Sequence, residues 1–96
     1  MDRYFSFSKE LLLDKTMSFG AKKLYVAIKN LSLKCGYCYA TDKYLSKEIN
    51  VSYRHIARLL RELDKQNRIK RITERGASGR KERHIYVLGE FSENNN

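Results

Sequence analysis

Apolar residues recur along this chain at two different periods. Ala21, Leu24, Tyr25, Ile28 and Leu31 fall at helical spacing, with Ser18 ahead of them as an N-cap. Gly36 is expected to end that helix, and Tyr37-Cys38-Tyr39-Ala40 reads as a short strand. Thr41 then caps a second helix from Asp42 to Ile49, with the Asp42 carboxylate favourable at its positive end and Tyr44, Leu45 and Ile49 as its inner face. Asn50-Val51-Ser52 predicts a tight turn. Asparagine tolerates the left-handed conformation, Val51 plugs the core and Ser52 caps the next helix. In that third helix, from Tyr53 to Gln66, Ile56, Leu59, Leu60 and Leu63 make one apolar stripe, and Asn67 ends it in the left-handed region. The rest reads as two strands, Ile69 to Arg75 and Glu82 to Leu88, around the loop Gly76-Ala77-Ser78-Gly79-Arg80.

Before the first long helix, Ser8 to Leu13 is long enough for one or two helical turns, and Phe5 and Phe7 alternate as if lying across the core. Residues 1–17 are therefore expected to form an N-terminal extension packed on a domain spanning 18–90, and residues 91–96 a disordered tail. The element order predicts an α+β fold, mostly α. It has three main helices, a short strand before the second, and a C-terminal β-hairpin wing, together a winged helix-turn-helix.

Charge narrows the partner class. The 96 residues carry a formal net charge of +9 with 42% hydrophobic composition, so the chain can bury a core while repelling itself. A polyanion relieves that repulsion, and nucleic acid is the leading partner. The longest apolar run, Leu24 to Ile28, is far short of the ~20 residues a membrane span needs. The N-terminus lacks a secretory signal, so a cytoplasmic protein without a membrane partner is expected.

The basic residues are concentrated as well as numerous. Eight of the nine arginines lie between Arg54 and Arg83. Arg54, Arg58, Arg61 and Lys65, at i, i+4, i+7 and i+11, form a stripe opposite the apolar one, with small Ala57 beside it. A helix buried on one face and basic on the other suits the major groove of duplex DNA. A solvated helix face is the alternative, with Arg58 matched by Glu62 and Arg61 by Asp64. Arg75, Arg80, Lys81 and Arg83 surround the hairpin tip, where they suit phosphates or a minor groove. Ser52, Tyr53 and His55 stand at the third helix's N-terminus, where free amides favour a phosphate. Both His55 and His84 are expected at the surface.

Tyrosines are the second signal. Tyr37, Tyr39, Tyr44 and Tyr53 interleave with Lys34, Lys43, Lys47 and Arg54, a composition that also suits single-stranded DNA through base stacking. Tyr25 and Tyr44 are expected in the core, whereas Tyr37, Tyr39 and Tyr53 are open as stacking residues. Cys35 and Cys38 have the spacing of half a zinc site or a redox pair. No second pair and no suitably spaced histidines accompany them, so they read as reduced thiols and no metal or cofactor is expected. Gly76 to Gly79 lacks the Lys-Ser/Thr of a phosphate-binding loop. No nucleophile elbow or carboxylate pair is present either, so the sequence predicts a binding protein and not an enzyme.

From Phe19 to Leu88 the chain resembles the winged-helix domain of replication initiators from phages and plasmids of Gram-positive bacteria. The stretches that carry the resemblance are Ala21-Lys22-Lys23-Leu24-Tyr25, Tyr39 to Leu45, Ile49 to Ile56, and Leu63 to Ile69. Family members often have glycine where Asn50 and Asn67 stand here. The resemblance implies a winged-helix fold, general DNA binding and other replication proteins as further partners. Such initiators usually continue into an oligomerisation or helicase-loading region, so an accessory role in replication or control of a mobile element is expected. The chain is also similar to small winged-helix single-stranded-DNA-binding proteins of chromosome-cassette mobile elements. Duplex binding through the third helix and wing is the leading expectation. A single-strand binder and a protein-interaction module are the alternatives.

Overall fold

The computed structural model describes residues 7–88; the expectations for Phe5 and the 91–96 tail lie outside them. Four helices, α1 (Lys9–Leu13), α2 (Phe19–Leu31), α3 (Asp42–Ile49) and α4 (Tyr53–Lys65), precede a hairpin of β1 (Ile69–Arg75) and β2 (Lys81–Val87). Each helix begins the same way. Ser8, Ser18, Thr41 and Ser52 are extended, and each hydroxyl accepts from the amide three residues on, at Leu11, Ala21, Tyr44 and His55. Such a cap satisfies one of the amides that the first turn leaves unpaired.

Helix α4 lies between the other long helices and the hairpin. Its Ile56, Leu59, Leu60 and Leu63 pack with Leu24, Tyr25 and Ile28 of α2, Leu45 and Ile49 of α3, and Ile69 and Ile85 of the hairpin. Leu11 and Met17 from the N-terminal segment join this cluster, and Phe7 packs on its edge. Among the described residues, three polar contacts attach that segment: Asp14 accepts from Arg68 at 2.6 Å, the Lys22 ammonium donates to the Leu12 carbonyl at 2.6 Å, and the Gln66 side-chain amide donates to the Thr16 carbonyl at 2.5 Å. Hydrogen bonds from Thr16 and the nearby Arg68 charge hold the Asp14 carboxyl below its ordinary range.

The two helix exits that carry asparagine are left-handed, Asn50 at φ 57° and Asn67 at φ 56°. At the second, the Arg68 amide bonds the Leu63 carbonyl at 2.9 Å and the Asn67 amide bonds Asp64 at 3.0 Å, a Schellman arrangement. The chain is thereby turned from α4 directly into β1.

Helix α2 stops at Leu31, well before Gly36. The Ser32 hydroxyl takes the Ile28 carbonyl at 2.7 Å, and Leu33 is 78% exposed, so a further helical turn would bury nothing. Gly36, at φ 87°, redirects the chain afterwards. The strand expected over Tyr37–Ala40 is a single bridge, Cys38 with Ile85, and the Ala40 carbonyl accepts from the Arg83 side chain instead of extending the pairing. Strand β2 starts one residue early, at Lys81, since Arg75 pairs with it directly across the tip. Tyr44 is not on the inner face of α3. Leu45 and Ile49, four residues apart, make the buried stripe, and Tyr44 is rotated off it and 48% exposed.

His84 is also a correction: it is buried, not at the surface. The strand register sets Glu74 opposite Glu82, two like charges that repel unless something lies between them. The His84 ring does so, with Nδ1 2.7 Å from Glu74 and Nε2 2.9 Å from Glu82. Tyr37 stacks on the ring at 3.8 Å, and the Tyr86 hydroxyl donates to Glu74 at 2.7 Å. Burial works against the charged ring, but hydrogen bonds to Glu82 and Glu74 and their negative charges outweigh it, so its pKa is raised. The bonds from Tyr86 and His84 lower that of Glu74.

Two expectations follow. Asn67→Ala should cost about 1 kcal/mol of unfolding free energy, while Asn67→Gly should be neutral or stabilising. Chemical denaturation checks this, and an alanine variant as stable as wild type would contradict it. A histidine pKa raised on folding gives stability that is fully present below the unfolded value near 6.5 and is lost as pH rises through the folded value. The stability advantage of wild type over His84→Gln should therefore be greatest near pH 6 and shrink towards pH 9. An NMR titration of the ring with a midpoint below about 6.5 would contradict the assignment.

Candidate nucleic-acid interface

The apolar stripe of α4 determines what its other face presents. With Ile56, Leu59, Leu60 and Leu63 in the core, Arg54, Arg58, Arg61 and Lys65 point the opposite way, and all four are exposed. The carboxylates that sequence spacing offered as their partners are used elsewhere. Glu62 accepts from both the amide and the hydroxyl of Ser18, each at 2.9 Å, and so anchors the start of α2. Asp64 pairs with Arg71 of β1. Among the described residues, no ion pair involves Arg54, Arg58, Arg61 or Lys65; Arg58 approaches only the His55 ring, at 3.5 Å. The stripe is therefore four unneutralised cations on a rigid helix about 20 Å long. Ala57 is half-buried beside them.

The first turn of α4 contributes less open surface. The Ser52 hydroxyl is committed to capping through the His55 amide at 3.1 Å. His55 is half-buried near Gly20, where α2 approaches α4 closely enough that a Cβ on the glycine would sit 3.3 Å from Leu59. Tyr53 is 62% exposed.

The hairpin residues divide into two groups. Arg80 and Lys81 are exposed at the tip, and Arg75 is exposed there too while donating to the Gly79 carbonyl at 2.6 Å. Arg83 points inward instead. It donates to Asp42 at 2.6 Å and to the Ala40 carbonyl at 2.7 Å, tying β2 to the start of α3. It fixes where the tip sits, and its guanidinium is largely occupied.

The three open tyrosines also separate. Tyr37 is half-buried and its ring covers His84, whereas Tyr39 is 59% exposed. Tyr39 and Tyr53 line one open hollow together with Lys43, Lys47 and Lys81. Sequence reasoning noted Lys43 and Lys47 only as neighbours of tyrosines. Their i, i+4 spacing on the polar side of α3 was the signal that places both on one face.

Cys35 is exposed and Cys38 is buried in the core, and both are free thiols. Burial pushes the Cys38 thiol up. Among the described residues no three His, Cys, Asp or Glu side chains are placed to hold a metal ion, and no helix is long and apolar enough to cross a membrane.

Solved structures share this architecture. One is the N-terminal domain of a DNA binding protein, with a TM-score of 0.69 and 15% identity, covering 95% of this chain and 78% of that one. Another is a possible transcriptional regulator from Methanosarcina mazei Go1, with a TM-score of 0.53 and 14% identity, covering 83% and 60% respectively. No protein-family model and no curated protein matches the sequence. At these identities the likeness is one of fold, and the chain has a winged-helix-like fold of four helices and a two-stranded antiparallel hairpin.

Proposed function

We propose that the protein binds duplex DNA, with α4 entering the major groove and the hairpin tip lying along neighbouring phosphates. The observation that carries this reading is the stripe Arg54, Arg58, Arg61 and Lys65, whose candidate carboxylate partners Glu62 and Asp64 are bonded to Ser18 and Arg71. With those carboxylates engaged by tertiary partners, the stripe keeps its positive charge for the phosphates of a polyanion. Arginine serves both phosphates and guanine edges, so the stripe can supply affinity and a measure of sequence preference. Arg75, Arg80 and Lys81 supply the wing contacts, and the amide end of α4 at Ser52, Tyr53 and His55 a phosphate contact. The role is binding and not catalysis.

The setting follows from the sequence resemblance to replication initiators of phages and plasmids. It supports a cytoplasmic accessory factor for replication or control of a mobile genetic element, working beside other replication proteins. One structural neighbour is a DNA binding protein and the other a possible transcriptional regulator, in keeping with a DNA partner.

Fluorescence anisotropy with Arg58→Ala plus Arg61→Ala tests the reading. Both side chains are exposed, so the variant should keep its circular dichroism and melting curve. Each residue that contacts a base should cost about 1–3 kcal/mol of duplex affinity. Arg80→Ala plus Lys81→Ala should instead weaken all sequences alike and flatten the plot of log affinity against log salt by about 0.9 per lost phosphate contact. Unchanged affinity in the folded Arg58/Arg61 variant would overturn the placement of α4.

A further inference from the structure

The flank of the domain beside the α4 stripe has a shape and chemistry that a duplex does not use. An open hollow of about 1040 Å³ lies between α3, the first turn of α4 and β2. Tyr39 and Tyr53 line it with more than half of each residue's surface exposed, and Lys43, Lys47 and Lys81 line it as exposed cations. Its two acidic residues are already engaged, Asp42 with Arg83 and Glu82 with His84. The hollow therefore presents net positive charge together with two aromatic rings.

A second hollow, of about 610 Å³, shares Tyr39 and Ala40 with the first and is walled by Leu31, Leu33 and Tyr44. Tyr39 is thus a ridge with a basic trough on one side and an apolar one on the other. The basic trough begins at Tyr53, the residue immediately before Arg54, so trough and stripe meet at the N-terminus of α4.

Rings beside ammonium groups match an unpaired nucleotide, whose base stacks while its phosphate takes the charge. A duplex offers the charge but not the faces, because its bases already stack on one another. Lysines alone would serve any anion; it is the pair of exposed rings that selects for bases. Tyr37 takes no part, since its ring is stacked on His84.

We propose that the trough between Tyr39 and Tyr53 holds a short single-stranded stretch of DNA continuous with the duplex on α4, which makes a duplex with a single-stranded extension the preferred ligand. The proposal rests on the duplex reading of α4 and adds to it an adjoining site, which meets the duplex contacts at Tyr53 and Lys81.

The test compares three fluorescent probes at one salt concentration: a blunt duplex, the same duplex carrying an extension of about six thymidines, and the single strand alone. The extension should tighten binding about tenfold, a modest return for one or two stacked bases. Tyr39→Ala should abolish most of that gain while blunt-duplex affinity stays within about twofold, and Tyr39→Phe should retain it. Arg58→Ala plus Arg61→Ala should weaken the blunt duplex and leave the gain from the extension intact. Equal affinity for blunt and extended duplex would overturn the trough while the reading of α4 stands, and so would a gain that survives Tyr39→Ala. Tight binding of the single strand with none of the blunt duplex would overturn the reading of α4 and, with it, a trough that continues a bound duplex.

Discussion

Burial of one face of α4 is the constraint from which the rest of the structure follows. Ile56, Leu59, Leu60 and Leu63 are each at most 4% exposed, and removing such side chains from water is worth about 1.5–3 kcal/mol apiece. Once that stripe is in the core, helical geometry leaves no choice about where Arg54, Arg58, Arg61 and Lys65 point. It also sends the two flanks of α4 to different neighbours. Glu62 reaches the start of α2, and Asp64 reaches β1. Both contacts hold the helix in place and withdraw negative charge from its outer face. The same side chains that fix the orientation of α4 thus leave its basic stripe unneutralised, which is the physical link between packing and the proposed contact with DNA.

The hairpin is positioned by a second set of polar contacts. Arg83 joins β2 to the start of α3, while His84 separates two opposed glutamates under the ring of Tyr37. A small domain with few apolar residues to spare gains rigidity from such contacts, because each polar group is satisfied without exposing more core. The consequence is a hairpin tip held at a set distance from α4, with Arg80 and Lys81 free at its end. In the proposed interface Arg83 and His84 would act by position, and the exposed cations by charge.

Much of this was legible in the sequence because local rules and burial agree. The caps Ser18, Thr41 and Ser52, the left-handed Asn50 and Asn67, and the stripe of α4 each depend on residues within a turn or two of one another. The misread positions depend on contacts far apart in the chain. Nothing near His84 in sequence shows that a strand register will set Glu74 opposite Glu82, so a buried, hydrogen-bonded histidine looked like a surface one. Arg83 looked like the other wing cations until α3 was placed beside it. The matching of Arg58 with Glu62 and of Arg61 with Asp64 is sound helix chemistry, but tertiary partners competed for both carboxylates and won. Tyr44, grouped with Leu45 and Ile49 as an inner face, is the local exception: those two residues already complete the inner face of a helix only two turns long.

The central claim is that the outer face of α4, rather than some other basic surface of a strongly cationic chain, meets the DNA. Backbone amide shifts followed by NMR during titration with a short duplex test it most directly. The largest and earliest changes should fall along Tyr53 to Lys65, with a second group at the hairpin tip from Gly76 to Lys81. Changes centred on α2, with α4 unaffected at saturation, would contradict it.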